Sequence, residues 1–413
     1  MSADKTEKLE TDLNNPATEK SSKLQTQENN PFYDPTLKAR HASAKRFRLL
    51  TILAIVFSLG FLLFFLGDMV VKGLPAFQQT YIQIEVDYSK VAGTSYRKAL
   101  DKKYRRVVSR AWTRMLPSQI EADPSLAEKK LKVWALADDQ VDQYLKGHFY
   151  KLKDKDKQLI DEMKAAGDVK LKFNKIFFTQ GDSKIPENSG IHSAIIGSIL
   201  TLLVTMVFAF PIGVMTAVYL EEFAVDNRWT RLIEVNINNL AAIPSILFGL
   251  LGLAVFINLF GMPRSSPLVG GLTLALMTLP IIIVSARAAL RSVPGSIRQA
   301  AFGLGLTKIE VVQDHVLPLA FPGILTGSII GLAQAMGETA PLIIIGMIAF
   351  IPDAPTSIFE AATVMPAQIF TWAGMPERAY IERTAAGIMV LLTVLLSLNA
   401  LAVYLRKKYE VKW

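Results

Sequence analysis

The chain has 413 residues and no cysteine. That absence excludes a disulfide framework, a thiolate metal site and a cysteine nucleophile. Only four histidines occur, His41, His148, His192 and His315. They are scattered, with no pair at helical spacing, so no metal site is assigned. No Gly-Lys dipeptide occurs either, which excludes a phosphate-binding loop of the usual pattern. Charge of one sign is in excess, with 45 Lys and Arg against 36 Asp and Glu. Many of these bases lie beside apolar runs, where they set membrane orientation, so no nucleic-acid partner is inferred.

Long apolar runs are what the chain has instead. Hydrophobic residues make up 51% of it. Several runs of about 20 residues are long enough to cross a hydrocarbon core, which gives a multispanning α-helical membrane protein. Residues 1–46 are polar and read as a disordered cytoplasmic tail. Lys38, Arg40, Lys45, Arg46 and Arg48 then precede an apolar run at 49–66, predicting a first span at 47–72 with its N-terminus inside. A signal peptide is the rival reading, but the preceding segment is too long and Gly67-Asp68-Met69-Val70 is a poor cleavage site.

Residues 73–188 are polar again and predict a small extracytoplasmic α+β insert. Tyr81–Val86 alternates like a strand, and Val169, Leu171 and Phe173 alternate again. Residues 94–116 and 125–146 show apolar positions at helical spacing, with Asp123-Pro124 as a helix start. Five further spans are expected near 191–220, 233–260, 268–289, 322–351 and 381–405 within a membrane domain at 189–413. Six spans return the C-terminus to the cytoplasm, in agreement with Arg406-Lys407-Lys408.

Three features stand apart from lipid-facing helix. Gly323, Gly327 and Gly331 recur every four residues, on one helix face, as a packing seam either between subunits or inside the chain. Pro211, Pro244 and Pro280 interrupt spans, as kinks that either line a path or are structural only. Glu338, in Gly337-Glu338-Thr339-Ala340-Pro341, is a carboxylate within an apolar stretch. Ionised, it costs about 2.5–3.5 kcal/mol at the bilayer centre. It therefore needs a partner, for which Arg287 is the candidate.

The loop at 291–320 between two spans is built as a joint. Pro294-Gly295-Ser296 starts a short helix with Ser296 near the N-cap. Ala300 and Ala301 keep that helix narrow, and Gly303 and Gly305 break it. Thr307 and Glu310 have capping-box spacing for a second helix, with Ile309, Val312 and Val316 as its apolar stripe. Pro318 and Pro322 favour a turn into the next span.

This loop resembles the EAA loop of ABC-importer permeases, in which Glu-Ala-Ala, Gly, Ile and Leu-Pro stand at fixed spacing. Ala300, Ala301, Gly305, Leu317 and Pro318 match. Gln299 replaces the Glu and His315 the Ile. The chain from about 190 to 410 is similar to phosphate-specific permeases of the PstA type. The similarity lies in Tyr219-Leu220-Glu221-Glu222, Ile243-Pro244-Ser245-Ile246, Arg291-Ser292-Val293-Pro294, and Gly323-Ile324-Leu325-Thr326-Gly327 with Gly337-Glu338-Thr339-Ala340-Pro341. The sister PstC type usually has Gly-Glu-Thr-Met at that last place.

The resemblance implies an ABC-importer permease fold in the bacterial inner membrane. It also implies a second permease of PstC type, a homodimeric ATPase of PstB type that binds ATP and magnesium, and a periplasmic phosphate-binding protein. This chain itself would bind no cofactor and catalyse no reaction. The loop residues Gln299, Ala300, Ala301, Gly303, Gly305, His315, Leu317 and Pro318 would receive the ATPase, and Arg287, Gln334, Glu338 and Thr339 would line the path or its gate. Family members often carry Arg-x-x-Glu late in the fourth span and Arg before Gly-Glu-Thr; here those places hold Val284, Arg287 and Gln334. The rival readings are a permease for molybdate or sulfate, an ion-coupled secondary transporter, which needs inverted repeats and intramembrane relays, and an intramembrane enzyme, for which no constellation exists.

Overall fold

A computed structural model describes residues 36–91, 96–148, 150–348 and 350–409. Most of the expected 1–46 tail lies outside the described residues. Its last part is helical, because α1 runs over Leu37–Gly73 and starts well before 47. Chain contacts divide at Gly67. Up to that point the molecule is a single helix whose large apolar side chains, such as Phe57 and Phe64, are exposed, as a lipid-facing segment requires.

From Asp68 onward the chain forms one compact unit. A three-stranded antiparallel sheet stands at one end, in the order β2 (Lys130–Leu136), β1 (Gln78–Asp87), β3 (Val169–Phe173). Ile82, Ile84 and Val86 alternate inward from β1. They pack with Leu100, Val107, Leu116, Val141 and Ile160, the last two from α2 (Asp139–Leu145) and α3 (Asp154–Ala165). The helices expected at 94–116 and 125–146 are mostly absent. Lys130–Leu136 pairs with β1 along its length, Ile84 opposite Val133, so cross-strand pairing overrides the local helical pattern. Asp123 starts only one short turn, accepting from the Ser125 N–H at 3.1 Å.

The sheet domain is tied to the last membrane helix by buried polar contacts. Glu382 accepts from Gln143 at 2.6 Å and lies 3.1 Å from Lys146 and 2.7 Å from His148. Glu187, also buried, has a side-chain oxygen with no partner among the described residues. Burial pushes its carboxyl up to about 7, against a hydrogen bond from Ser109. Burial and the adjacent Asp139 carboxylate push Asp138 up to about 8. A carboxyl whose folded pKa is raised binds its proton more tightly when folded, so its contribution is complete below pH 4.5 and is lost as pH rises through about 7. Glu187→Gln, which mimics the protonated group, is expected to raise the melting temperature at pH 8 and leave it nearly unchanged at pH 5. Thermal unfolding of the detergent-solubilised chain at both pH values checks this; equal effects at the two pH values contradict it.

Among the described residues five helices are long and apolar enough to cross a membrane, or six if one bent pair counts as a span. They include α4 (His192–Val218), α7 (Pro267–Arg291), α9 (Lys308–Gly337) and α12 (Ala379–Tyr409). The bent pair, α5 (Arg228–Ala241) and α6 (Ser245–Leu259), turns through 105°. The span expected at 233–260 is thus broken at Pro244, as the proline predicts, and is not one continuous helix. Pro244 forces the residue before it out of helical conformation, and the chain turns there.

The span expected at 322–351 is also corrected. α9 ends at Gly337, Glu338 is extended, and only the short α10 (Ala340–Ile344) follows. Nor does the chain turn at Pro318 and Pro322. Both lie inside α9, which absorbs Pro318 after a wide π-turn at Val311–Val316 that shifts the backbone hydrogen-bond register. Beyond α10, residues 345–348 and 350–364 lead to α11 (Met365–Ala373), which packs against α12 and α4. Thr363 is buried there, its carbonyl seated where Gly197 has no side chain.

Candidate functional site: the loop and the fifth-span face

The insert and the 291–320 loop lie at opposite ends of α4, which leaves the insert at His192 and ends at Val218, next to the Glu221–Arg291 and Glu222–Arg298 pairs. In the loop, α8 (Gly295–Gly303) starts at Pro294, whose extended conformation makes it the N-cap. The helix starts where expected, and Ser296, its second residue, lies near the N-cap rather than at it. The helix closes at Leu304, and Gly305 takes φ +86°, the left-handed region glycine tolerates best. Thr307 and Glu310 form a reciprocal capping box. The Glu310 carboxylate accepts from the Thr307 N–H at 2.7 Å, and the Thr307 hydroxyl accepts from the Glu310 N–H at 3.5 Å.

The two alanines of the motif do different work. Ala301 is buried in one apolar cluster with Ala217, Ile283, Ala289 and Val316, so it helps fasten the loop to the spans. Gln299, Ala300, Gly303 and Gly305 are exposed, with Phe302 and an 82% exposed Leu304 beside them. His315 and Leu317 are half-buried and Pro318 is exposed. The apolar stripe is Val311, Val312 and Val316; Ile309 points outward. The loop therefore presents a small apolar tip on a fixed base.

Its base is a charge network that sequence reading missed. Arg298 donates to Glu222 at 2.6 Å and to the Val293 and Leu290 carbonyls at 2.8 and 3.0 Å. Arg291 donates to Glu221 at 2.8 Å. Arg287 lies 3.3 Å from Glu221 and 2.5 Å from Glu234. Three cations and three carboxylates thus join the ends of α4 and α7 to α5 and α8. Their sequence separations of 53 to 76 residues leave no local pattern, although Glu221-Glu222 was visible as a pair at the end of an apolar run.

Arg287 is therefore not the partner of Glu338. α9 packs antiparallel on α7: an added Cβ would meet Ala289 from Gly323, Ser285 from Gly327 and Ile281 from Gly331. The glycine seam thus lies inside the chain. Glu338 stands eleven residues beyond Gly327, about 16 Å further along the helix axis at 1.5 Å per residue. Its side chain is half-buried and has no hydrogen-bond partner among the described residues. Gln334 and Gly337 beside it are exposed, as is Ile330 one turn earlier. Thr339 is half-buried at the break. Residues 330, 334 and 337 share one helix face, so Gln334 is left uncovered on a membrane span, and with the half-buried Glu338 and Thr339 it makes a short polar strip at the helix end. In hydrocarbon such groups need water or protein against them. Val284 is also exposed.

Two family models match. Residues 209–411 match the binding-protein-dependent transport system inner membrane component. Residues 34–98 and 87–154 match a domain of unknown function, DUF3333. The phosphate transport system permease protein PstA 1 of Mycobacterium tuberculosis (strain ATCC 25618 / H37Rv) is 31% identical over 225 residues, covering 54% of this chain and 72% of that one. The probable ABC transporter permease protein YqgI of Bacillus subtilis is 29% identical, covering 54% and 81%. PstC of Pasteurella multocida is 30% identical, covering 55% and 78%. An inward-facing MetNI methionine ABC transporter is 17% identical over 52% of this chain and 96% of that one, with a TM-score of 0.42. The matched region contains the jointed loop, the charge network and the glycine seam, and the chain belongs to the family of binding-protein-dependent ABC permeases, among its PstA-type phosphate permeases.

Proposed function

We propose that this chain is one of two permease subunits of an ATP-driven phosphate importer. A PstC-type permease covers the polar strip at Gln334, Glu338 and Thr339, and the path runs between the two. A homodimeric PstB-type ATPase, which holds the ATP and magnesium, docks on the exposed tip at Gln299, Ala300, Phe302 and Leu304. A periplasmic phosphate-binding protein delivers the substrate. The N- and C-termini then lie in the cytoplasm. The observation that carries this reading is the loop itself: an apolar tip at the membrane end of a salt-bridged base, in a family of transport components and in a chain without a phosphate-binding loop of its own. Bringing an anion inward against an inside-negative potential costs about 2.3 kcal/mol per charge per 100 mV, so an energy source is required.

Because the usual carboxylate is Gln299 here, docking rests on shape and apolar fit. The joint at Gly305 then matters, since a side chain at φ +86° is strained by about 1–3 kcal/mol. Gly305→Ala is expected to lower uptake per ATP hydrolysed while insertion is normal; an unchanged ratio contradicts the role of the joint. Purification of the tagged chain from its native membrane tests the assembly. A complex with a second permease and a dimeric ATPase is expected. A chain that transports alone sinks the reading, and competition by sulfate or molybdate equal to that by phosphate redirects it to another oxyanion.

A further inference from the structure

The insert carries an aromatic column that emerges at the membrane end of the sheet. Gly73 lies against α12, where an added Cβ would stand 2.6 Å from the Met389 sulfur and 3.1 Å from the Ala385 backbone. Gly73 is therefore at the depth of a membrane span. β1 begins five residues later, and its first residue, Gln78, pairs with Phe173, the last of β3. β3 thus runs back toward the spans, and Phe173 is its nearest point to them.

Phe173 stacks on Phe178 at 6.0 Å, and Phe178 on Phe77 at 5.9 Å. Phe77 meets the buried Phe177 edge-on at 5.7 Å, and Phe177 lies 6.2 Å from the buried Trp372. Trp372 is fixed by donating to Asp182 at 2.9 Å. The inner end of the column is anchored and buried, whereas its outer end is open. Phe173 is 60% exposed and Leu171 53%. The exposed apolar surface continues along the chain from Val71 and Leu74. Lys175 is exposed two residues beyond Phe173, whereas Lys172, on the opposite face of β3, lies with its ammonium over the Tyr81 and Trp134 rings.

On an edge strand in water this surface is a template for association. At a bilayer boundary it is favourable, because aromatic rings settle at headgroup level and a neighbouring lysine meets anionic headgroups. We propose that Leu171 and Phe173 sit in the headgroup layer of the leaflet on the insert's side, with Lys175 at its anionic surface. The lipid is chosen over a protein partner by continuity with the apolar surface of the span. The edge of the sheet is thereby seated on the membrane. The far end of β1, where Asp87 pairs with Lys130, is carried nine residues along the strand, about 30 Å, into the aqueous compartment.

The absence of cysteine permits a direct test. Single nitroxide labels are placed by Phe173→Cys, Leu171→Cys, Lys130→Cys and Leu396→Cys, the last on an exposed position of α12. The purified transporter is reconstituted in phosphatidylethanolamine–phosphatidylglycerol bilayers. Collision with oxygen is compared with collision with a water-soluble nickel chelate. The ratios at 171 and 173 are expected to shift from the aqueous value at 130 toward the lipid value at 396. A label at Lys175→Cys, which leaves the column intact, is expected to read the boundary between them. Aqueous ratios at 171, 173 and 175 overturn the proposal. So does shielding from both reagents, which would mean that protein covers the tip.

Discussion

Replacing Arg298 by alanine is expected to abolish coupled uptake in a chain that still inserts. Arg298 is the residue that holds α8 to the spans. Its guanidinium binds Glu222, whose side chain is only 8% exposed, and two backbone carbonyls at the end of α7. Removing it leaves a buried carboxylate without its cation and two carbonyls without donors. Breaking a buried pair from one side costs about 3–5 kcal/mol, and the partial exposure of Arg298 places this site at the low end. That is enough to free a nine-residue helix otherwise fixed by Ala301 and a few apolar contacts. Lysine at 298 is not equivalent, because its single ammonium lacks the planar fork that reaches three acceptors. A double-mutant cycle with Glu222→Gln separates the pair from general damage. Uptake and ATP hydrolysis measured in the same proteoliposomes check the prediction. A wild-type ratio of the two in Arg298→Ala contradicts it.

The second large effect lies at the glycine seam, and it is graded. Between membrane helices there is little hydrophobic drive, so close backbone packing itself holds α7 to α9. At Gly327 an added Cβ would stand 2.4 Å from both the Cβ and the hydroxyl of Ser285. At Gly323 the nearest atom is the Ala289 Cβ at 2.8 Å, and at Gly331 it is an Ile281 methyl at 3.3 Å. Neither Cβ can rotate away, whereas the isoleucine methyl can. Overpacking of this kind costs about 1–3 kcal/mol, occasionally more. Alanine is therefore expected to destabilise in the order 327, then 323, then 331, with Gly327→Leu giving no folded chain. Yield of monodisperse protein and melting temperature in detergent read the series. Equal tolerance at the three positions would mean that the helices are not in this contact.

Much of the loop was legible because its signals are local. The capping box needs only Thr307 and Glu310 three residues apart, and the joint only a glycine in a turn. The direction of Ala301 was not, since either alanine could have faced a partner; the four-residue spacing from Ile297 to Ala301, both in the same apolar cluster, is the signal that marks the inner face. The charge network is illegible for the opposite reason, as the partners of each pair stand 53 to 76 residues apart on different helices. The wrong partner for Glu338 came from the same gap: sequence gives which helices carry charge, not their depth. In β2 the two-residue alternation of Lys130-Leu131-Lys132-Val133 prevails over the helical spacing of 125–146, because β1 supplies its cross-strand partners. The break at Pro244 is legible from the proline itself, though its 105° size is not, and the span expected at 322–351 runs past Gly337, where the helix has already ended.

In the proposed function, a membrane chain without a Gly-Lys phosphate-binding loop of the usual pattern turns a partner's ATP hydrolysis into phosphate movement through the 291–320 loop. Reconstitution tests this most directly. The purified complex is placed in vesicles with phosphate-loaded binding protein on one side and ATP on the other, and labelled phosphate entry is followed. Entry that requires ATP, that sulfate and molybdate do not compete for, and that disappears with Arg298→Ala is the predicted result. Entry without ATP, driven by an ion gradient or by this chain alone, would contradict it.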